Sequence, residues 1–432
     1  MNKSITSFGK RFLAVALVLV TLLGMVAMAA PLKAEAATVT SKSVSSYRVD
    51  TSKFYEVSSK TAKVKNSTKW YAGTFATLDK GTIVQVSGTS GDFYKVVMNN
   101  VTYYIKKADL KKAPSGVNAA LYYTTKNAPL RNGPTEGSGK VTTLAKGQVI
   151  TVLGGLKNDK NNRWLVVAYQ GQICYLYTEN AKQASNISLR VTGSDTVGVN
   201  KSIQLSCTTS PSGLKVTWAT SNSSIATVDS TGRVKGVYPG IVKITAKIGN
   251  IVSVTYQVNV DLRLNVKTVR QTTNYTCSAA ASLAVLRYKN TAKTVSDTTL
   301  YKKTDGYVYK IRDTLNSYLG SGTYKYGTFT SYAAYEKAVV NSLKQDSPVI
   351  ARVKFSKQYF NYKSNGHYTT ITGVYMASDG TMWACLADSF VHNYAKNSYT
   401  DPSAGTVQIP LKTLYNYGTY GGSSAIYLIY NP

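Results

Sequence analysis

The sequence is poor in the side chains that hold metals, disulfides and imidazole chemistry. Its 432 residues include two histidines and four cysteines. So few cysteines exclude a disulfide scaffold. No zinc motif and no phosphate-binding loop is present, so neither a metal nor a cofactor is expected. Acidic residues are also scarce, with 20 Asp and Glu against 51 Lys and Arg, a formal net charge of +31. Such a charge attracts polyanions at long range. Nucleic acid is not the expected partner, because no recognition helix and no zinc motif is seen. The lysines are spread along the chain rather than gathered into one patch.

What is present begins with an export signal. Lys3, Lys10 and Arg11 precede an uncharged apolar run from Phe12 to Ala30, and Ala34-Glu35-Ala36 is a small-x-small cleavage site. Residues 1–36 therefore read as a signal peptide, with an uncleaved anchor as the alternative. No second membrane span follows Ala37. Taking four cations and one anion of the signal from the +31 total leaves +28 on the mature chain. Anionic polymers of a Gram-positive type wall, or peptidoglycan, are the expected partner; plain solubility is the alternative reading of the charge. The expected location is extracellular and wall-associated.

The length is too great for one core and predicts several domains. Two segments repeat each other. Leu78-Asp79-Lys80-Gly81 followed by Thr82 to Val86 aligns with Leu144-Ala145-Lys146-Gly147 followed by Gln148 to Val152. Lys-Gly makes a turn and an alternating strand follows. Short strands between Gly and Asn turns predict small barrels over 39–112 and 117–182. The second copy opens Ala128-Pro129-Leu130-Arg131-Asn132-Gly133-Pro134. With the Lys-Gly turn and the Trp164 strand, it resembles the bacterial SH3-like domain, which implies binding of wall peptide or glycan; a structural spacer is the alternative. The first copy lacks that opening and is divergent.

From 186 to 260, alternating strands such as Val242-Lys243-Ile244-Thr245-Ala246 are separated by glycine turns, as a β-sandwich requires. The pattern resembles the group 2 bacterial immunoglobulin-like domain. Such domains act mostly as spacers or adhesive modules. Cys174 and Cys207 follow strand-like residues and are expected to be buried apolar fillers.

The segment 262–432 holds both histidines, the last two cysteines and the one convincing helix. Ser278 to Tyr288 is rich in Ala and Leu, and Thr273, Asn274 and Thr276 are turn and cap residues. Cys277 thus stands at a helix N-terminus, where a thiolate is favoured. Gln271 and the Cys277 amide could meet a developing oxyanion. The base must be His367 or His392. The run Tyr368 to Tyr375 and the run Met382 to Asp388 form a hairpin about Ala377-Ser378-Asp379-Gly380. A turn centred between Ser378 and Asp379 brings His367 and Asp388 within about one step of each other, so Asp388 can orient the imidazole. Cys385 then faces the other way and reads as core. His392 falls in a polar loop.

Val269-Arg270-Gln271, Cys277-Ser278-Ala279-Ala280, Gly366-His367-Tyr368 and Ala387-Asp388-Ser389 together resemble the double-glycine leader peptidase-like branch of the papain-type cysteine peptidases. That resemblance implies Cys277 as nucleophile, His367 as base, Asp388 as orienting acid and Gln271 in the oxyanion hole. Many members carry Gly after the nucleophile and Pro after the acid, where this chain has Ser278 and Ser389. The expected architecture is therefore multidomain: small SH3-like β-barrels, an immunoglobulin-like β-sandwich and a C-terminal α+β papain-like domain. The expected activity is hydrolysis of amide bonds in a peptide, protein or wall cross-link. The alternative is a wall-bound adhesion protein whose papain-like domain is inactive.

Overall fold

A computed structural model describes residues 40–45, 47–355, 364–390, 406–418 and 426–432. The expected signal segment and His392 lie outside the described residues. Among the described residues, no helix is long and apolar enough to cross a membrane. The chain is multidomain and mostly β, and all its described α-helices lie after residue 276.

The two repeated segments share one element order. Strands Thr74–Asp79 and Ile83–Val84 flank a turn in the first, as Lys140–Leu144 and Val149–Asn158 do in the second. Gly81 and Gly147 hold φ of 80° and 78° in those turns, a region where a Cβ is costly. Each segment continues with a hairpin, Phe93–Met98 with Val101–Lys106 and Arg163–Tyr169 with Gln172–Tyr177. Each hairpin ends in a single 3-10 turn and a short strand. The segments share a sheet, because Leu156, Lys157 and Asn158 pair with Leu78, Thr77 and Ala76.

One strand departs from the expected boundaries. Thr40–Val44 does not join the first repeat but pairs with Ile187–Thr192 of the following module, Val44 opposite Ile187. Val44 packs there on the core built from Ile187, Leu189 and Val191. In that module Gly240–Ile248 and Val252–Arg263 alternate buried and solvent-facing residues along a long antiparallel hairpin, the pattern of sheets packed on one face. Cys174 is buried as expected, but Cys207 is exposed. The correction has a simple cause: Ser206–Ser210 is the edge strand of a three-stranded sheet, so one flank is open.

The C-terminal unit has its own elements, numbered here in chain order. The helices are α1 Cys277–Tyr288, α2 Asp297–Thr304, α3 Val308–Leu319, α4 Tyr332–Lys344 and α5 Leu411–Asn416. The strands are β1 Lys325–Phe329, β2 Val349–Phe355, β3 Ser364–Met376, β4 Met382–Ala387, β5 Thr406–Pro410 and β6 Ile426–Tyr430. They form a sheet in the order β1-β6-β2-β3-β4-β5. Leu262 and Arg263, the end of the preceding module's last strand, pair with Val374 and Gly373 of β3. A Cβ on Gly373 would stand 2.6 Å from the Leu262 carbonyl oxygen, so only glycine admits this approach.

Helix α1 is buried from Ser278 to Leu286. A helix buried on all sides belongs inside a core. Ala279, Leu283, Leu286, Leu300, Ile311, Leu315, Ile350 and Ile429 form one cluster around it. Its small residues let β3 and α2 come close, and its polar groups are satisfied. Ser282 Oγ donates to the Ser278 carbonyl at 2.7 Å, and Thr370 Oγ1 donates to the Ala281 carbonyl at 3.2 Å. Ser278 shares a 3.1 Å hydrogen bond with Thr304 Oγ1 of α2.

Candidate active site

The site is assembled from four segments: the loop before α1, the first turn of α1, the beginning of β3 and the exit of β4. Cys277 is the first residue of α1. The first amides of a helix have no partner within it. The N-cap residue, Thr276, does not cap them with its side chain. Its hydroxyl donates instead to Asp297 Oδ2 at 2.7 Å. The same carboxylate accepts from the Thr272 amide at 2.7 Å and from Thr272 Oγ1 at 3.0 Å. Asp297, the first residue of α2, is buried. Burial alone would raise its pKa, but these hydrogen bonds and one from the Thr298 amide hold it below the usual carboxylate value. Asp297 thus pins the loop that delivers Cys277.

The Cys277 thiol lies within electrostatic reach of the His367 imidazole. Burial pushes the thiol up, but the His367 imidazole, with the Tyr368 and Ser278 amides, brings it below its ordinary value. His367 is buried, 3% exposed, and its Nε2 lies 3.1 Å from Asp388 Oδ2. Burial disfavours the imidazolium, yet Asp388 and the Cys277 thiolate together raise the imidazole pKa well above normal. The Phe390 amide donates to Asp388 Oδ1 at 2.9 Å, fixing the carboxylate plane.

The hairpin explains how residues 21 apart in sequence meet. Near the turn, Met376 pairs with Met382 and Val374 with Ala384. A bulge between Ile371 and Gly373 shifts the register, after which Ile371 pairs with Leu386 and Thr370 with Ala387. Asp388 follows the last pair. Extended by one residue, the ladder sets it opposite Thr369, and His367 is the diagonal neighbour on the same strand face. Such diagonals lie about 7–8 Å apart at Cα, within reach of long side chains. Cys385 is buried away from this group, with its thiol pushed up by burial.

Gln271 also reaches the site region. It is buried, and its Nε2 donates to the Thr273 carbonyl at 2.8 Å. Its Oε1 accepts from Ser389 Oγ at 2.9 Å, and its backbone amide donates to the Ser389 carbonyl at 3.1 Å. The structure therefore brings Cys277, His367 and Asp388 together, with the imidazole hydrogen-bonded to the carboxylate and acting on the thiol, and places Gln271 against the residue after the acid. His392 lies outside the described residues. Among the described residues, no cluster of His, Cys, Asp and Glu could hold a metal ion.

Residues 263–409 match the Peptidase_C39 like family. Residues 186–261 match the group 2 bacterial Ig-like domain. The C-terminal unit is thus papain-like and the module before it Ig-like. The two matched segments meet within the strand Val252–Arg263. Among solved structures, NlpC1 and NlpC2 from Trichomonas vaginalis are 10% and 9% identical. They cover 84% and 79% of this chain and 94% of each of theirs, at TM-scores of 0.18 and 0.17. A chain of the intimin–Tir90 complex is 21% identical over 21% of this chain, at a TM-score of 0.15. This chain spans 48% of its length. Likeness at these scores carries no argument. A search of curated proteins found no match.

Two residues of the site escape the sequence reading. Asp297 is visible only as the second residue of a Ser296-Asp297 helix start; Ser296 does cap α2, accepting from the Thr299 amide at 3.1 Å. Ser389 is visible only as the residue that follows the expected acid, Asp388.

Proposed function

We propose that this chain is an exported, wall-associated thiol peptidase. The observation that carries the reading is the line Cys277 thiol, His367 imidazole, Asp388 carboxylate, with the thiol lowered and the imidazole raised. Opposite shifts in touching groups favour a thiolate–imidazolium pair at neutral pH. The Cys277 thiolate attacks a peptide carbonyl carbon, forming a C–S bond. The Cys277 amide and Gln271 Nε2 receive the oxyanion. His367 passes its proton to the leaving amine as the C–N bond breaks. It then takes a proton from water, whose oxygen attacks the thioester, and a carboxylic acid leaves as the thiolate is restored. Asp388 keeps the imidazole in the productive orientation and tautomer.

The repeated β-segments serve as SH3-like wall-binding domains in this reading, and the +28 of the mature chain favours anionic wall polymers. The peptidase domain would belong to the double-glycine leader peptidase-like branch, with a wall cross-link or a protein as substrate. A second reading, an adhesion protein, is favoured by an exposed aromatic pair in the first repeat. Trp70 and Tyr71 are 90% and 67% exposed, with edge-to-face rings. Incubating the full chain with purified wall and with a peptide library decides between them. New amino termini, lost in Cys277→Ala, are expected. If wild type and variant release the same products, and Cys277 alkylates no faster than a free thiol, the adhesion reading takes its place.

A further inference from the structure

The residue after the orienting acid does more than follow it. Ser389 is 2% exposed and Gln271 3% exposed. Two hydrogen bonds join them across 118 positions of sequence, one from hydroxyl to amide oxygen and one from backbone amide to carbonyl. The Thr273 carbonyl can only accept, so the nitrogen of the Gln271 amide must face it. Ser389 Oγ then necessarily donates to Oε1. With the oxygen and one N–H committed, the amide plane is fixed, and the second N–H has no partner among the described residues. A proline at 389 would keep the carbonyl bond and lose the hydroxyl one. The neighbours of Ser389 act on the base: Asp388 holds His367, and the Phe390 amide holds Asp388.

We propose that Ser389 is a positioning residue that presents Gln271 as an oxyanion donor. Residues 388 to 390 then set the base and the oxyanion site together. The inference rests on the thiol-peptidase reading, and its test separates the two. Iodoacetamide alkylation of Cys277 displaces iodide without an oxyanion and reads only the thiol and its base. Acylation by p-nitrophenyl acetate passes through an oxyanion and releases nitrophenolate. In the full chain, Ser389→Ala is expected to lower acylation about tenfold in kcat at constant KM. Alkylation should be unchanged, and Ser389→Thr should restore acylation. Ser389→Ala with Gln271→Ala should be no slower than Gln271→Ala alone, because the two act as one unit. Wild-type acylation by Ser389→Ala, or independent losses in the double variant, overturns the proposal. If the wild-type chain cleaves no ester, the peptidase reading falls, and selective 15N labelling of glutamine still decides the positioning. The Gln271 side-chain amide signals should be dispersed and exchange-protected in wild type and in Ser389→Thr, and collapse toward free glutamine in Ser389→Ala. Unchanged signals in Ser389→Ala overturn the proposal.

Discussion

Two cysteines of the C-terminal unit, one on α1 and one on β4, sit in opposite electrostatic surroundings. Cys385 is enclosed by the sheet, paired at the backbone with Gly373 and Gln408, and burial pushes its thiol up. Cys277 also feels burial, yet its thiol is lowered. The difference is counter-charge and donors: His367 beside the sulfur, and the amides of Ser278 and Tyr368 aimed at it. Desolvation alone disfavours a thiolate, and only a partnered position turns a buried cysteine toward chemistry.

The sharpest test of that contrast is truncation of each thiol. Cys277→Ala is expected to lower peptide hydrolysis by about 10⁴-fold or more, since loss of a nucleophile removes the covalent route. Cys385→Ala should stay within about twofold, with only a stability cost from the lost packing. Equal losses in the two variants, measured as kcat/KM on one peptide, would break the comparison.

Asp388→Asn tests whether the counter-charge reaches the thiol through the imidazole. Replacing the carboxylate removes the largest interaction that raises the His367 pKa and permits the wrong tautomer. Hydrolysis is expected to fall about 10³-fold. The pH profile gives the sign. Wild-type activity should rise as the thiol ionises below its ordinary pKa and decline only as pH passes the raised pKa of His367. In Asp388→Asn the alkaline limb moves toward lower pH. A limb that does not move would show that Asp388 does not hold the imidazolium.

Alkylation at pH 6 compares the two thiols in one molecule. Cys277 should react with iodoacetamide about tenfold or more faster than Cys385 in the folded chain. The gain in thiolate fraction is partly offset by the weaker nucleophilicity of a low-pKa sulfur. His367→Ala should erase most of the difference, and mass spectrometry of the labelled peptides reads it directly.

The sequence shows the start of α1 plainly, because Ala-rich helical residues follow a polar turn. It shows the β3–β4 hairpin for the same kind of reason, two strand-like runs about Asp379-Gly380. It hides α2, α3 and α4, whose tyrosines, threonines and asparagines have modest helix propensity and are held by packing of Leu300, Ile311, Leu315 and Val339. It also hides the bulge at Ile371 to Gly373, beside which Leu262 and Arg263 pair with Val374 and Gly373. The turn centred between Ser378 and Asp379 brings His367 near Asp388 because side chains two residues off the opposed position still meet on the diagonal. Thr40–Val44 was illegible as part of the Ig-like sheet, since nothing local distinguishes one partner sheet from another. Asp297 was missed because its partners, Thr272 and Thr276, lie more than 20 positions away.

Asp297 therefore offers the smallest but most specific prediction, since it acts on Cys277 only through the loop. Asp297→Asn keeps the shape but removes the charge that accepts three hydrogen bonds from Thr272 and Thr276. The folded unit should lose about 1–3 kcal/mol at neutral pH, read by urea unfolding. The folded pKa of Asp297 lies below the unfolded value, so its contribution is present above about pH 4 and fades as acid carries the folded group through its own lower pKa. The stability gap between wild type and Asp297→Asn should accordingly close on acidification, and a gap constant from pH 7 to pH 2 would refute the charge-based account. With the loop loosened, alkylation of Cys277 should slow toward that of Cys385, while Cys385 itself, buried within β4 and making no contact with that loop's hydrogen bonds, keeps its rate.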